Sequence, residues 1–165
     1  MTTMAGKSIW RERVLRIAPL ILWTGVIFFL SSPAASMAHT SGFLSPILRY
    51  FWPDLSPDTD FFVNFVVRKL AHFTVYAILA MVAVWAFAGS RSSKWFGLRY
   101  ALAPLVALLI ASLDELNQSF EPSRTGLFSD VILDVASALV MTGALWWIKW
   151  PPKPIADQPD DVSSK

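Results

Sequence analysis

The sequence has no cysteine among its 165 residues. This absence excludes disulfide bonds, zinc sites with thiolate ligands, iron–sulfur clusters and catalysis by a thiol. Charged residues are also few, at 16% of the chain, and the net charge of +2 is too small to indicate a nucleic-acid-binding protein. No basic patch with interleaved aromatic residues and no internal repeat is visible. Thiol chemistry and nucleic-acid recognition are therefore not candidate functions.

The chain is instead rich in apolar side chains. It is 55% hydrophobic, carries eight tryptophans and has a mean hydropathy of +0.49. A soluble domain of this length cannot bury so much apolar surface, because only part of its residues can lie in the interior. The composition therefore indicates a membrane protein.

Four apolar runs predict transmembrane helices, because a helix needs roughly 20 residues to cross a bilayer. The runs cover residues 14–32, 70–88, 100–113 and 131–148. The sequence thus predicts an all-α polytopic membrane protein whose four helices form a small bundle over residues 14–148. A cytoplasmic segment, 1–13, precedes this domain. A Pro-rich polar tail, 149–165, follows it and is predicted to be disordered.

The distribution of lysine and arginine predicts the orientation of the helices. The segments on one side of the membrane carry ten of these residues: Lys7, Arg11, Arg13, Arg16, Arg91, Lys94, Arg99, Lys149, Lys153 and Lys165. The other side carries four: Arg49, Arg68, Lys69 and Arg124. The positive-inside rule therefore predicts that both termini are cytoplasmic. The expected location is a bacterial cytoplasmic (inner) membrane.

Two segments in the first half of the chain allow more than one interpretation. Residues 1–38 also resemble a secretory signal in which "SPAASMA" precedes a cleavage site. Within "FLSPILRYFW", residues 43–52, apolar side chains recur at helical spacing, which predicts either a helix on the membrane surface or a hydrophobic plug on the bundle. In "SPDTD", Asp58 or Asp60 is a candidate N-cap, so that the second membrane helix begins before the membrane.

Ionisable residues are concentrated where the third and fourth runs meet. They are Asp114, Glu115, Glu121, Arg124, Asp130 and Asp134. A lone charge at the depth of Asp134 costs about 2.5–3.5 kcal/mol on insertion scales, so this carboxylate needs a partner. Arg124 is a candidate from the same segment, and Lys69 and His72 are candidates across the bundle. Asp130 has a second interpretation, as the N-cap of the fourth helix.

A polar stripe on the second helix faces the same end of the bundle. Lys69, His72 and Tyr76 lie at positions i, i+3 and i+7, within about 60° of one another around the helix axis. Asp114, Glu115 and Gln118 share a face of the third helix in the same way. These groups predict either a structural network of salt bridges or a binding or catalytic pocket.

Two segments of the chain resemble the VanZ-like membrane proteins. "RKLAHFTVYAILA", residues 68–80, contains the pattern Lys-x-x-His-Phe-x-x-Tyr. "DELNQSFEPSRTGLFSDVILD", residues 114–134, contains Asp-Glu-x-x-Gln-x-Phe-x-Pro-x-Arg and then Asp-x-x-x-Asp, and "FFLSS" closes the first helix as in that family. The resemblance covers residues 20–148 and carries onto Lys69, His72, Tyr76, Asp114, Glu115, Gln118, Pro122, Arg124, Asp130 and Asp134. Three positions depart from the family pattern: Asn117, Ser123 and Ser137. A histidine is common at the position of Asn117, which argues against a metal site with two histidines.

The resemblance implies an association with resistance to the glycopeptide antibiotic teicoplanin, and two functional hypotheses follow. In the first, the protein is an enzyme acting on a lipid-linked or amphiphilic envelope substrate, with His72, Asp114 and Glu115 as candidate acids and bases. Arg124 and Lys69 would hold an anionic group. The substrate-binding candidates are Lys69, Tyr76, Gln118, Arg124, Asp130 and Asp134.

In the second hypothesis, the protein is a non-catalytic binder that modifies the cell surface or a partner protein. The expected partners are the lipid bilayer and a lipid-linked envelope precursor or a lipoglycopeptide. No cofactor is expected. The alternative is a divalent cation such as Mg²⁺ or Mn²⁺ bound by His72, Asp114, Glu115 and Asp130.

Overall fold

The computed structural model describes residues 3–32, 37–88, 97–120 and 128–149. Within these ranges every regular element is an α-helix, which confirms the all-α prediction. The helices are α1 (Thr3–Leu30), α2 (Met37–Phe51), α3 (Pro57–Phe87), α4 (Leu98–Ser119) and α5 (Phe128–Trp147). The C-terminal tail beyond residue 149, for which disorder is predicted, and residues 33–36 within the segment "SPAASMA" lie outside the described residues.

Three helices, α3, α4 and α5, are long and apolar enough to cross a membrane. The apolar part of α1, Val14–Leu30, is shorter and lies at the lower end of the length that spans a bilayer, about 17 residues. The protein is therefore a multi-pass membrane protein. The prediction of four transmembrane helices requires that α1 also crosses the membrane, although its apolar part is close to the minimum length for a span.

Helix α3 starts well before its apolar run, as the sequence predicted, but its N-cap differs from the predicted one. Ser56 is the cap, and its hydroxyl accepts a hydrogen bond from the backbone N–H of Thr59 at 3.2 Å. Pro57 takes the first helical position, where its fixed φ angle and missing N–H are tolerated. Asp58 and Asp60 consequently lie inside the first turn, where the helix dipole favours negative charge.

The predicted apolar helix between the first two spans is α2, which is longer than the sequence pattern indicated. Its apolar side chains Phe43 and Phe51 are 74% and 65% exposed, so this face does not plug the bundle. The other face packs on α3, where Asn64 donates a hydrogen bond to Ser45 Oγ at 3.1 Å. These exposures favour the interpretation of α2 as a helix on the membrane surface.

Small side chains form the interior of the bundle. In α4, Ala103, Ala107 and Ala111 recur every fourth residue and are at most 1% exposed, whereas Leu105 and Leu109 point away from the protein. Small residues let membrane helices approach closely and gain van der Waals contact, because lipid supplies no hydrophobic drive between helices. The pattern therefore fits helices packed on small residues and surrounded by lipid.

The buried faces of the helices become polar toward one end of the bundle. The alanine stripe of α4 continues into Asp114 and Gln118, and the buried face of α5 begins with Asp130 and Asp134. The C-terminal end of α4 and the N-terminal end of α5 lie together, since the two helices run in opposite directions and pack on each other. The fold thus collects the polar residues of separate helices at a single end.

The predicted orientation can be checked by cysteine labelling, because the natural chain offers no competing thiol. We expect Asp54→Cys to react with a membrane-impermeant maleimide in intact cells. Ser164→Cys should react only after the membrane is permeabilised. The reverse pattern would show that the polar end of the bundle faces the cytoplasm.

The close packing of α4 predicts that Ala107→Leu destabilises the protein. The added side chain has no room, and overpacking costs about 1–3 kcal/mol. Ala101→Leu is the matched control, because Ala101 lies on the exposed face of the same helix. Thermal unfolding in a neutral detergent should give a lower Tm for Ala107→Leu alone. Equal Tm values for the two variants would contradict the packing described.

Candidate functional site

One cluster of polar side chains, here called the polar site, lies at the polar end of the bundle. It receives Ser31 from the end of α1 and further residues from α3, α4 and α5: Lys69, His72, Tyr76, Asp114, Gln118, Asp130 and Asp134. Four helices therefore build it, and the periodicity of each helix alone places its members on the buried face.

Lys69 of α3 forms an ion pair with Asp130 of α5. The carboxylate also accepts a hydrogen bond from Ser129 Oγ at 3.3 Å, and the ammonium lies 5.3 Å from the centroid of the Phe65 ring. Asp130 is the third residue of α5 and its charge is directed at another helix. The cross-helix pair, rather than capping, therefore accounts for this aspartate.

His72 and Asp134 form a second pair between the same two helices. His72 Nδ1 lies 3.4 Å from Asp134 Oδ1, within ion-pair range, but the two atoms do not meet the geometry of a hydrogen bond. Ser137, one turn along α5, donates its hydrogen bond to the backbone carbonyl of Asp134 at 2.7 Å and not to the carboxylate. This buried carboxylate, of a residue 2% exposed, thus depends on His72 for its nearby partner.

Asp114 of α4 is only 1% exposed and is held by two donors. Its Oδ2 accepts hydrogen bonds from Ser31 Oγ at 2.7 Å and from Gln118 Nε2 at 2.9 Å. The Ser31 bond joins the end of α1 to the end of α4. The sequence pattern did not predict a role for Ser31. Its position in "FFLSS", at the end of an apolar run, was the feature that could have indicated one.

Several buried polar atoms of the polar site have no hydrogen-bond partner among the described residues. They are His72 Nδ1, Tyr76 Oη, Asp114 Oδ1 and Asp134 Oδ1. The Tyr76 hydroxyl lies close enough to the Asp114 carboxylate to interact with it directly, and Asp134 and Glu115 are also near. Since buried polar groups are nearly always hydrogen-bonded, several buried atoms that lack a hydrogen bond in one place are candidates for contact with a bound molecule or water.

Most of the residues predicted from the sequence come together here. Lys69, His72, Tyr76, Asp114, Gln118, Asp130 and Asp134 are all members of the polar site. Glu115 borders it, half-buried and within electrostatic reach of Tyr76. Arg124, Glu121 and Pro122 lie outside the described residues. The catalytic and binding roles assigned to these residues stay predictions.

Among the described residues, the proposed cation ligands are not grouped as a metal site. Within the described part of the chain, no three His, Asp or Glu side chains are arranged to hold a metal ion. Of the predicted set His72, Asp114, Glu115 and Asp130, the last is already paired with Lys69. The described residues thus give no support to a divalent cation here.

Comparison with known proteins gives one match. A family model described as VanZ/LLP1 matches residues 16–149, which include every residue of the polar site. The chain belongs to the VanZ/LLP1 family. No curated protein and no solved structure is detectably similar to the chain. In this chain the fold thus places described motif residues from separate helices in one cluster.

In this VanZ/LLP1 protein, the ion pair between Lys69 and Asp130 predicts that a single variant is less stable than the double variant that removes both charges. Lys69→Met should lower the free energy of unfolding by about 1–3 kcal/mol, because it leaves a largely buried carboxylate without its partner. The double variant Lys69→Met/Asp130→Asn should recover part of the loss, since the uncompensated charge is gone.

The matched control is the exposed pair Arg49–Asp60, whose charged atoms are 3.4 Å apart. Its variants should change stability by roughly 0–1 kcal/mol. Thermal unfolding of seven proteins, the wild type and, for each pair, both single variants and the double variant, measures both coupling energies. Similar coupling in the two pairs would show that the Lys69 pair is no more than a surface contact.

Proposed function

We propose that this VanZ/LLP1 protein binds the polar head of an amphiphilic envelope molecule in the polar site and acts on it by acid–base chemistry. The observation that supports this most is that four buried polar atoms form no hydrogen bond among the described residues, although His72 Nδ1 and Asp134 Oδ1 lie 3.4 Å apart, within ion-pair distance. A network that only held the helices together would give each of these atoms a hydrogen bond. Burying a polar group in an apolar medium without a hydrogen bond costs several kcal/mol.

The residues present suit proton transfer. His72 lies beside Asp134, and a carboxylate next to an imidazole is an arrangement that acid–base catalysis uses to orient the ring. Asp114 is held through one oxygen by Ser31 and Gln118, which leaves Oδ1 to accept a proton or hydrogen bond. The Ser31 hydroxyl, already bonded to a carboxylate, has the adjacent base that a serine nucleophile requires.

The surroundings of the polar site suit an amphiphile. Leu70, Leu113 and Ile132, all close in sequence to members of the site, are exposed on the outside of the bundle. A molecule whose head occupies the polar site can therefore keep its acyl chain against these side chains, among the lipids. The orientation predicted from lysine and arginine puts this end in the outer leaflet of a bacterial inner membrane.

The family's name adds a link to teicoplanin, a lipidated glycopeptide that acts at the outer membrane surface. A site for amphiphile heads at that depth is compatible with two routes to resistance. The protein could alter a lipid-linked precursor, or it could bind the lipoglycopeptide itself.

The second route is a non-catalytic binding protein, and one observation favours it. The described charges are largely paired within the protein, with Lys69 on Asp130 and His72 beside Asp134. Such pairs fix the shape of a site without the need to react. Binding alone would then protect the cell surface.

Mass spectrometry of envelope lipids and cell-wall precursors distinguishes the two functions. Cells lacking the protein are compared with cells that express the wild type, Glu115→Gln or the control Asp54→Asn, whose aspartate is exposed and distant in sequence from the site. We expect a species that changes with the wild type and the control but not with Glu115→Gln, because the amide keeps the shape and removes the proton-transfer group.

An unchanged lipid profile together with an altered response to lipidated glycopeptides would favour the binding protein. Glu115→Ala and Arg124→Ala should lose function while the protein still inserts at normal levels. Full activity in both of these variants would show that the site is elsewhere.

A further inference from the structure

One basic side chain near the polar site has no carboxylate partner. Arg49 pairs with Asp60, and Lys69 pairs with Asp130. In the described part of the chain, no carboxylate pairs with Arg68. The sequence pattern predicted that Lys69 holds an anionic group, but that lysine is committed to an aspartate of the protein. Its neighbour Arg68, for which no role was predicted, is available instead.

The surroundings of Arg68 explain why it lacks a counter-ion. The residues one turn before and after it on the same face of α3 are Asn64 and His72, and neither is acidic. The neighbouring helix α2, residues 37–51, contains no aspartate and no glutamate. Arg68 is nevertheless half-buried. A guanidinium in such a position is costly without an anion, because it is neither fully hydrated nor paired.

Helical periodicity places Arg68 at the rim of the polar site. It lies about one turn before His72 and about 40° around the axis from it, so the two residues share a face of α3. On the other side of this arginine, Asn64 donates a hydrogen bond to Ser45 of α2. Arg68 therefore lies between α2 and the polar site, nearer than His72 to the N-terminal end of α3.

The depth of Arg68 in the bilayer matches that of a lipid phosphate group. Helix α5 has 20 residues and is about 30 Å long, the thickness of the hydrocarbon core, so its first turn lies at a membrane surface. The pair between Lys69 and Asp130, the third residue of α5, places the neighbouring Arg68 at the same level. Val67 and Leu70, close by in sequence, are exposed on the outside of the bundle. A head group bound by Arg68 can therefore keep its acyl chain among the lipids.

The carboxylates of α5 do not exclude an anion from this rim. Asp130 is paired with Lys69, and Asp134 lies within ion-pair distance of His72. Each of these carboxylates thus has a basic group of α3 beside it. Arg68 contributes a further positive charge that neither of them offsets.

We propose that Arg68 binds the head of the amphiphile and that this head carries a phosphate group. The inference rests on the proposed function and names the chemistry of its ligand. A guanidinium presents parallel N–H donors that match two oxygens of a phosphate, and the two charges offset each other. The phosphate lies at the rim, and the rest of the head extends toward His72.

Three ligands test the proposal on the full-length protein in a neutral maltoside detergent. They are dodecyl phosphate, dodecyltrimethylammonium and inorganic phosphate. Binding is followed by the shift in Tm and by tryptophan fluorescence. We expect saturable binding of dodecyl phosphate and none of the ammonium amphiphile. Inorganic phosphate should bind about tenfold more weakly or less, because it has no chain to place among apolar side chains.

Arg68→Gln should weaken binding of dodecyl phosphate about tenfold or more, since it removes the charge and its hydrogen bonds. Arg68→Lys keeps the charge but loses the paired donors, so its affinity should be intermediate. Arg49→Gln is the matched control and should bind like the wild type, because the Arg49 side chain is 58% exposed and already paired with Asp60. If Arg68→Gln fails to accumulate, Arg68→Lys and the comparison of the three ligands on the wild type still decide.

The outcomes separate this inference from the proposed function. Equal binding of dodecyl phosphate by the wild type and both Arg68 variants would overturn the role of Arg68 and leave an amphiphile site in place. Saturable binding of dodecyltrimethylammonium alone would overturn the phosphate head and also leave that site in place. Equal affinity for inorganic and dodecyl phosphate, or no binding of any ligand, would overturn the amphiphile site itself.

Discussion

Charge buried in a helix bundle within a lipid bilayer needs a partner from another helix, because neither lipid nor water can supply one there. In this protein the partners lie between α3 and α5, as Lys69 with Asp130 and His72 with Asp134. The register of these two helices is therefore fixed by chemistry as well as by packing. A shift of one helical turn would leave at most one of the two aspartates beside a basic residue of α3.

The small residues further along the helices are what allow these pairs to form. Ala103, Ala107 and Ala111 let α4 approach its neighbours closely, and Ser137 and Ala138 do the same for α5. At the polar end the same close approach brings Asp114 within reach of Ser31. Packing and polar chemistry thus depend on the same buried faces.

The sequence predicts the helices and their polar faces well, because both follow from periodicity along a single segment. Lys69, His72 and Tyr76 on one stripe, and Asp130 with Asp134 on another, could be placed in this way. Which stripe meets which depends on contacts between helices, and periodicity carries no information about them. The pairing of Asp130 with Lys69, rather than a capping role, was left open for that reason.

Other features escaped prediction for local reasons. Ser31 stands at the end of an apolar run, where a serine is common and nothing marks its hydroxyl as a donor to Asp114. The N-cap of α3 was placed on an aspartate because Asp58 and Asp60 are both good caps. Pro57 instead occupies the first helical position, and Ser56, just outside the helix, is therefore the cap.

Helix α3 contacts each of the other four helices, and it carries Lys69, His72 and Tyr76. These three side chains are therefore rigidly linked through one backbone. A rotation of α3 about its axis would move both ion pairs and the tyrosine hydroxyl at once. A ligand that separated one pair by turning α3 would therefore weaken the other, which would couple occupancy of the site to the orientation of a single helix.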